Sequence, residues 1–222
     1  MPLHGLRAEY YIKAMGMKVA HLVIEHDAPK QQIQVKAVSL MSNKIFPRIN
    51  NTYVVSYLGN FLPRSYLREI DQNNVCDSVL TTYDHRSKEA VIIRHNPSSA
   101  KAFEISSHTR DYFSFMMLLT TQNLKDGVYR IDGNGLLYNA KLVYEKSEVI
   151  KTEKGKFNTR KYNISFIPLK KEKMPYIDMV THNTLHKDTR ISIWIGDNGV
   201  ALKASVRKSA LGMSWELIDF CL

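Results

Sequence analysis

Two histidines one helical turn apart form the pattern closest to a metal site in this sequence. They lie in His182-Asn183-Thr184-Leu185-His186, with Asp178 and Asp188 on either side. On a helix, positions i and i+4 share a face, and zinc sites use that spacing. The Glu that follows the first His in zinc-peptidase helices is Asn183 here, and the flanks do not read as helix. A solvated loop without a metal is therefore expected. His21, His26, His85 and His95 fall near strand ends and are expected at the surface. There is no Gly-x-Ser-x-Gly elbow to raise a nucleophile. Gly133-Asn134-Gly135 is followed by no helix start, so it reads as a hairpin turn and not as a phosphate loop. These spacings assemble no acid, base and nucleophile set. A non-enzymatic protein with no cofactor is expected.

Two other features could bind rather than react. The net charge is +10, which favours anionic partners. Between Lys151 and Lys173 there are eight basic residues against Glu153 and Glu172, which is +6 of that +10. Within this region Lys154, Lys156, Lys170 and Lys171 are candidates to meet anionic head groups. Phe157 and Tyr162 are interleaved with the basic residues, as nucleic-acid surfaces require; a solvated hairpin with core-facing aromatics is the plainer reading. The second feature is His108 to Thr121, HTRDYFSFMMLLTT, the longest dense apolar run. Methionine packs irregular space well. Tyr112, Phe113, Met116 and Met117, with Trp194, are the candidate lining of an apolar ligand pocket, against the alternative that they are ordinary core.

The elements that must position these residues are mostly strands. Leu6, Ala8, Tyr10, Ile12 and Ala14 alternate with polar neighbours, and so do Ile33, Val35 and Ala37, and Val200, Leu202, Ala204 and Val206. Period two marks half-buried strands. Gly16, Asp27 to Lys30, Asp84 to Ser87, Asn96 to Ser99, Asp132 to Gly135, Glu153 to Lys156 and Gly196 to Gly199 supply turns. Ser39 to Ile49 reads as a linker or short helix, a further strand is expected after Pro63, and Met174 to Lys187 reads as irregular. His108 to Thr121 is the exception. Phe113, Met116, Met117 and Thr120 fall at helical spacing, and Asp111 or Thr109 can cap the start. A helix apolar on nearly all sides is buried. The expectation is a single mainly β domain over 1–222. It has about ten to twelve strands, an antiparallel meander curled into a barrel or half-barrel, and one apolar helix at about 108–121 packed in or against it.

No run of about 18 apolar residues is present. Cys76 and Cys221 do not make a disulfide framework and are expected as unpaired, partly buried thiols. The start, MPLHGLRAEYY, has no basic region followed by an apolar one, so it is not a signal peptide.

Four stretches also carry a family resemblance. Tyr10 to Ala20 has the form Tyr-x-Ile-Lys-x-x-Gly-x-x-Val-Ala. His108 to Ser114 stands where an Asp-Pro-Leu-Ser-like helix start would be. Ile193 to Asn198 is similar to a Val-Trp-Leu-Ser-Asp-Asp end strand, and a glycine-containing strand pair closes the chain. Together they resemble a bacterial family of exported proteins, domain of unknown function three-one-zero-eight, over nearly the whole chain. The central segment lacks the family's proline, and Val200-Ala201 stands where the family tends to have another. The resemblance implies a periplasmic or envelope location, with the signal peptide outside this sequence; a cytoplasmic location is the alternative. It also implies a barrel-like fold similar to lipoprotein carriers that hold acyl chains. The family brings no catalytic residues to carry over. The expected partner is an apolar or lipid-like small molecule. An anionic membrane surface or another envelope protein is a further candidate, and nucleic acid is set aside. An interaction scaffold with a filled core, or a surface binding glycans or nucleic acid, is the alternative function.

Overall fold

The computed structural model describes residues 5–43, 45–73, 75–208 and 211–222. Residues 1–4, at the head of the stretch judged not to be a signal peptide, lie outside them. The first half of the chain forms β1 (Gly5–Ala14), β2 (Met17–Asp27), β3 (Gln32–Ser39), β4 (Asn50–Leu58), β5 (Leu62–Gln72), β6 (Val75–Asp84), β7 (Glu89–His95) and β8 (Ser98–Glu104). Helix α1 (Tyr112–Thr121) follows. The second half forms β9 (Gly127–Asp132), β10 (Leu137–Thr152), β11 (Gly155–Pro168), helix α2 (Met179–Thr184), β12 (Thr189–Gly196), β13 (Ala201–Lys208) and β14 (Leu211–Cys221).

All fourteen strands join one antiparallel sheet in the order β8-β7-β6-β5-β4-β3-β2-β1-β14-β13-β12-β11-β10-β9. The first and last strands therefore meet mid-sheet, with Ile12 opposite Trp215 and Ala14 opposite Met213. The sheet stays open, so the fold is a half-barrel whose edges are β8 and β9. Register shifts at Glu9/Tyr10, Ile12/Lys13 and Ser56/Tyr57 are bulges, which bend strands and help a long sheet curl. Pro63 lies inside β5, at the bulge opposite Tyr57, where a missing N–H is tolerated. Tight turns join the strands: Met15 (φ 52) and Gly16 (φ 78) both take the left-handed backbone a two-residue hairpin demands.

The concave face is the core. Tyr53, Val55, Ile164, Ile191 and Ile193 are each at most 1% exposed, and such side chains contribute about 1.5–3 kcal/mol apiece on burial. Parity also decides the histidine that the sequence misplaces. His26 follows Leu22 and Ile24 on the inward row, is buried, and shares a 2.7 Å hydrogen bond with the Tyr57 hydroxyl. Burial lowers its basicity. Cys76 and Cys221 are free, as expected, but exposed.

Helix α1 lies in the connection from one open edge to the other and fills the concavity between them. Phe113 packs on Tyr53 and Tyr66 of the first half, at ring separations of 5.0 and 6.1 Å. Tyr112 faces Phe166, and Phe115 faces Tyr129, both in the second half. Asp111 is the cap: its Oδ1 accepts from the N–H groups of Phe113 and Ser114. Residues 108–111 are not helical. Arg110 instead makes a short parallel bridge to Ile131 on the β9 edge. Polar bonds tie the two halves across the opening. Tyr83 donates to Asp132, and Arg68, held in place by a 2.8 Å bond to Thr81 of the neighbouring strand, donates to Asn134 at 2.7 Å.

Candidate functional site

The inward rows of four strands run out to one mouth of the half-barrel, and there the core is not filled. The cross-strand pairs Ile12–Ala20, Ile12–Trp215, Ala14–Met213 and Val206–Met213 set these apolar side chains on one face. Residues Ile45 to Ile49 cover them from one side, and Met179 and Val180 of α2 from another. Between them is a cavity of about 300 Å³, at the small end of the range that takes organic ligands.

Helix α2 is only six residues long, far below the length at which a helix holds itself together in water. A buried polar network fixes it instead. Asp178 is fully buried and accepts from the Thr181 N–H, the Thr181 hydroxyl and the Tyr53 hydroxyl of β4. Asn51 donates to Tyr53 and to Gln72, and Gln72 also accepts from the Met179 N–H. Burial, with the Asp178 carboxylate beside it, keeps the Tyr53 phenol well above its ordinary range and neutral. The first wall of the pocket is thus tied to β4 and β5.

Among the described residues, Lys208, Asn183 and Thr184 are the polar ones that line the pocket. Lys208 ends the inward row of β13 and donates to the side-chain amide oxygen of Asn183 at 3.1 Å. His182 and His186 lie close by, and burial together with the positive charge of Lys208 lowers the basicity of both. The two rings are 6.4 Å apart and tilted by 58°. His186 lies beyond the end of α2 and its Nδ1 accepts from the Asp188 N–H. Asp178 is engaged in capping. Among the described residues no group of three His, Cys, Asp or Glu side chains could hold a metal ion.

Over residues 7–210 the sequence matches the family described as protein of unknown function DUF3108. The chain belongs to this family. A comparison with curated proteins gives no match. Among solved structures, this DUF3108 chain is similar to a β-barrel-like protein of domain of unknown function DUF1849 from Brucella abortus. The identity is 10% and the TM-score 0.65, over 97% of this chain and 96% of that one. That likeness shows a common fold. A hypothetical lipoprotein, YmcC, from Escherichia coli aligns at 7% identity and a TM-score of 0.39, over 96% of this chain and 86% of that one.

The DUF3108 fold separates residues that the sequence reading grouped. Tyr112, Phe113 and Met117 are buried among the core aromatics, and Met116 is half-buried beside them. None of the four lines the mouth pocket. Trp194 is on the opposite side of the sheet from α1. Its neighbours Ile193 and Ile195 point inward, so Trp194 points outward, where it donates to Glu148 at 2.7 Å beneath Lys161 and Lys203. The four candidate lysines do not make one patch either. Lys154 and Lys156 flank the start of β11, and Lys170 and Lys171 follow its end; at the rise of an extended strand the two pairs are roughly 40 Å apart. Lys154 pairs with Asp219 of β14 at 2.8 Å, which folds the hairpin tip against the outer face of the sheet. Phe157 packs on Phe220, both half-buried against the core, and Tyr162 is in the core. The hollow under this tip is larger, about 520 Å³, but it lies on the outer face and charged side chains line much of it. Lys13 and Glu216 neutralise each other inside it. The mouth pocket is the better ligand site because its walls are apolar and it opens into the core.

Proposed function

We propose that this DUF3108 protein is a non-enzymatic binding protein of the bacterial envelope that holds an apolar or lipid-like ligand at the mouth of its half-barrel. One observation carries the reading: inward-facing apolar side chains from β1, β2, β13 and β14, roofed by α2, surround a cavity of about 300 Å³ and leave it unfilled. A cavity with apolar walls gains free energy when apolar surface displaces water from it, at about 25 cal/mol per Å² buried. The buried carboxylates Asp111 and Asp178 serve as helix caps, and Asp132 binds Tyr83 and the Gly135 N–H. That is structural employment for the acidic groups an enzyme would use. The envelope location rests on the family resemblance described above.

Because α1 fills the concavity, an interaction scaffold with a closed core is the second reading. Native mass spectrometry of the purified chain, followed by organic extraction, separates them. The binding reading expects an apolar molecule bound one per chain. It expects that molecule to be lost in Ala14→Phe, which places a ring in the pocket, with the fold of the variant checked by circular dichroism. A clean mass in both proteins, with no uptake of the neutral fluorophore N-phenylnaphthylamine, would leave the scaffold.

A further inference from the structure

Lysine is out of place on the inward row of a strand. On β13, Leu202, Ala204 and Val206 point into the core and are buried. The same parity turns Lys208 inward, opposite the buried Thr189 of β12. Its ammonium therefore sits at the rim of the apolar pocket, and it is the one charged group among the described residues lining that pocket. A neutral amide, Asn183, is its hydrogen-bond partner, and no carboxylate among the described residues pairs with it. Of the carboxylates flanking α2, Asp178 is engaged as its cap, and Asp188 lies beside His186 and forms no ion pair with Lys208. An uncompensated cation at the end of an apolar cavity fits an amphiphile with the opposite charge at one end. An anionic head group would add a full charge–charge attraction that the uncharged Asn183 amide cannot supply.

We infer that the pocket takes a single-chain amphiphile with a terminal anion, its chain against Ile12, Val19, Met179 and Met213 and its head on Lys208 and Asn183. This rests on the ligand-binding reading above and narrows it. The pocket volume limits the ligand to one chain, since it lies at the bottom of the range of roughly 300–1,000 Å³ that small-molecule sites span. A carboxylate and a phosphate share the required chemistry.

The test is displacement of bound N-phenylnaphthylamine by palmitate, hexadecyl phosphate and hexadecanol, on the wild-type chain and on Lys208→Met. Hexadecanol has the same chain without the charge, and methionine keeps the length of the lysine stem. The expected result is that one or both acids bind about tenfold more tightly than the alcohol, and that Lys208→Met removes this advantage while hexadecanol binds as before. The tighter acid identifies the head group. Equal binding of acids and alcohol, unmoved by Lys208→Met, would overturn the head-group inference and leave the apolar pocket standing. Equal weakening of all three in Lys208→Met would also overturn it, since the lysine would then only shape the wall. Failure of the wild-type chain to take up the fluorophore or hexadecanol would overturn the pocket itself.

Discussion

Replacing Asp111 by asparagine should stabilise the protein in mild alkali and do little in mild acid. Asp111 caps α1 from a fully buried position. Its Oδ1 accepts at 2.9 and 3.0 Å from Phe113 and Ser114, while Oδ2 and the Ser114 hydroxyl have no partner among the described residues. Burial is the main reason its carboxyl is pushed up from 3.8 to about 6, against the pull of its bonds to Ser114 and Phe113; the nearby Asp132 carboxylate adds to the rise. A raised acid binds its proton more tightly in the fold than in the open chain. The resulting stabilisation is complete below about 3.8 and is lost as the pH climbs through about 6. Between about pH 5 and about pH 8 the wild-type chain should lose roughly 1–2 kcal/mol from this group. For a domain of this size that is a fall in Tm of about 2–8 °C.

Asparagine caps helices as well as aspartate does. Its amide is uncharged at every pH, so the cost of burying it does not change across the range. Urea denaturation of both proteins across that pH range, read by circular dichroism, gives the comparison, and contributions from other titrating groups cancel in the difference. Asp132 is buried and pushed up as well. Removing the Asp111 charge relieves it in the same direction. Parallel pH profiles for the two proteins, or a variant that loses ground against wild type towards higher pH, would refute the reasoning.

Three further outcomes follow from the packing. A Cβ at Gly133 would lie 2.5 Å from the ring of Tyr138, which is itself core; Gly133→Ala should destabilise by about 1–3 kcal/mol in a denaturant titration, as overpacking does. Arg68 is buried, and its charge holds down the raised Asp132 carboxyl. Arg68→Met should cost roughly 3–5 kcal/mol, and more at higher pH where Asp132 would have to ionise alone. Met117 is core whereas Met179 is a half-buried pocket wall. Met117→Ala should lose about 2–5 kcal/mol of stability with ligand affinity retained, and Met179→Ala should show the reverse balance in melting and binding assays.

Much of the fold is written in period two, because a sheet with one buried face forces alternation. Leu202, Ala204 and Val206 show it plainly, as does the Met15-Gly16 turn. Helix α1 and its Asp111 cap were equally legible, since no strand of a one-faced sheet is apolar in an unbroken run. The apolar run predicts a start at about His108, but the helix begins at Tyr112 because Arg110 is held extended by the β9 edge, a tertiary contact. Strand β8 left no pattern: as an edge strand nearly all of it is exposed on both faces. Strand order was also hidden, since nothing local tells Ile12 that its neighbour is Trp215. The site was the least legible part. A buried apolar helix reads the same whether it fills a cavity or frames one, so Tyr112 to Met117 looked like a pocket. The actual walls come from segments near residues 12–20, 45–49, 179–184, 206–208 and 212–215 that only folding brings together. One signal was available. Continuing the inward row of β13 by one step past Val206 places Lys208 where an apolar residue belongs.

The most direct test of the account is where a bound chain sits. Methionine methyls report this by NMR, because Met15, Met179 and Met213 line the mouth pocket while Met116 and Met117 belong to α1. Titration with hexadecanol or palmitate should shift the first three saturably and leave the α1 pair in place. Saturable shifts at Met116 and Met117 with the mouth methyls unmoved, or no shift at any of the five, would contradict it.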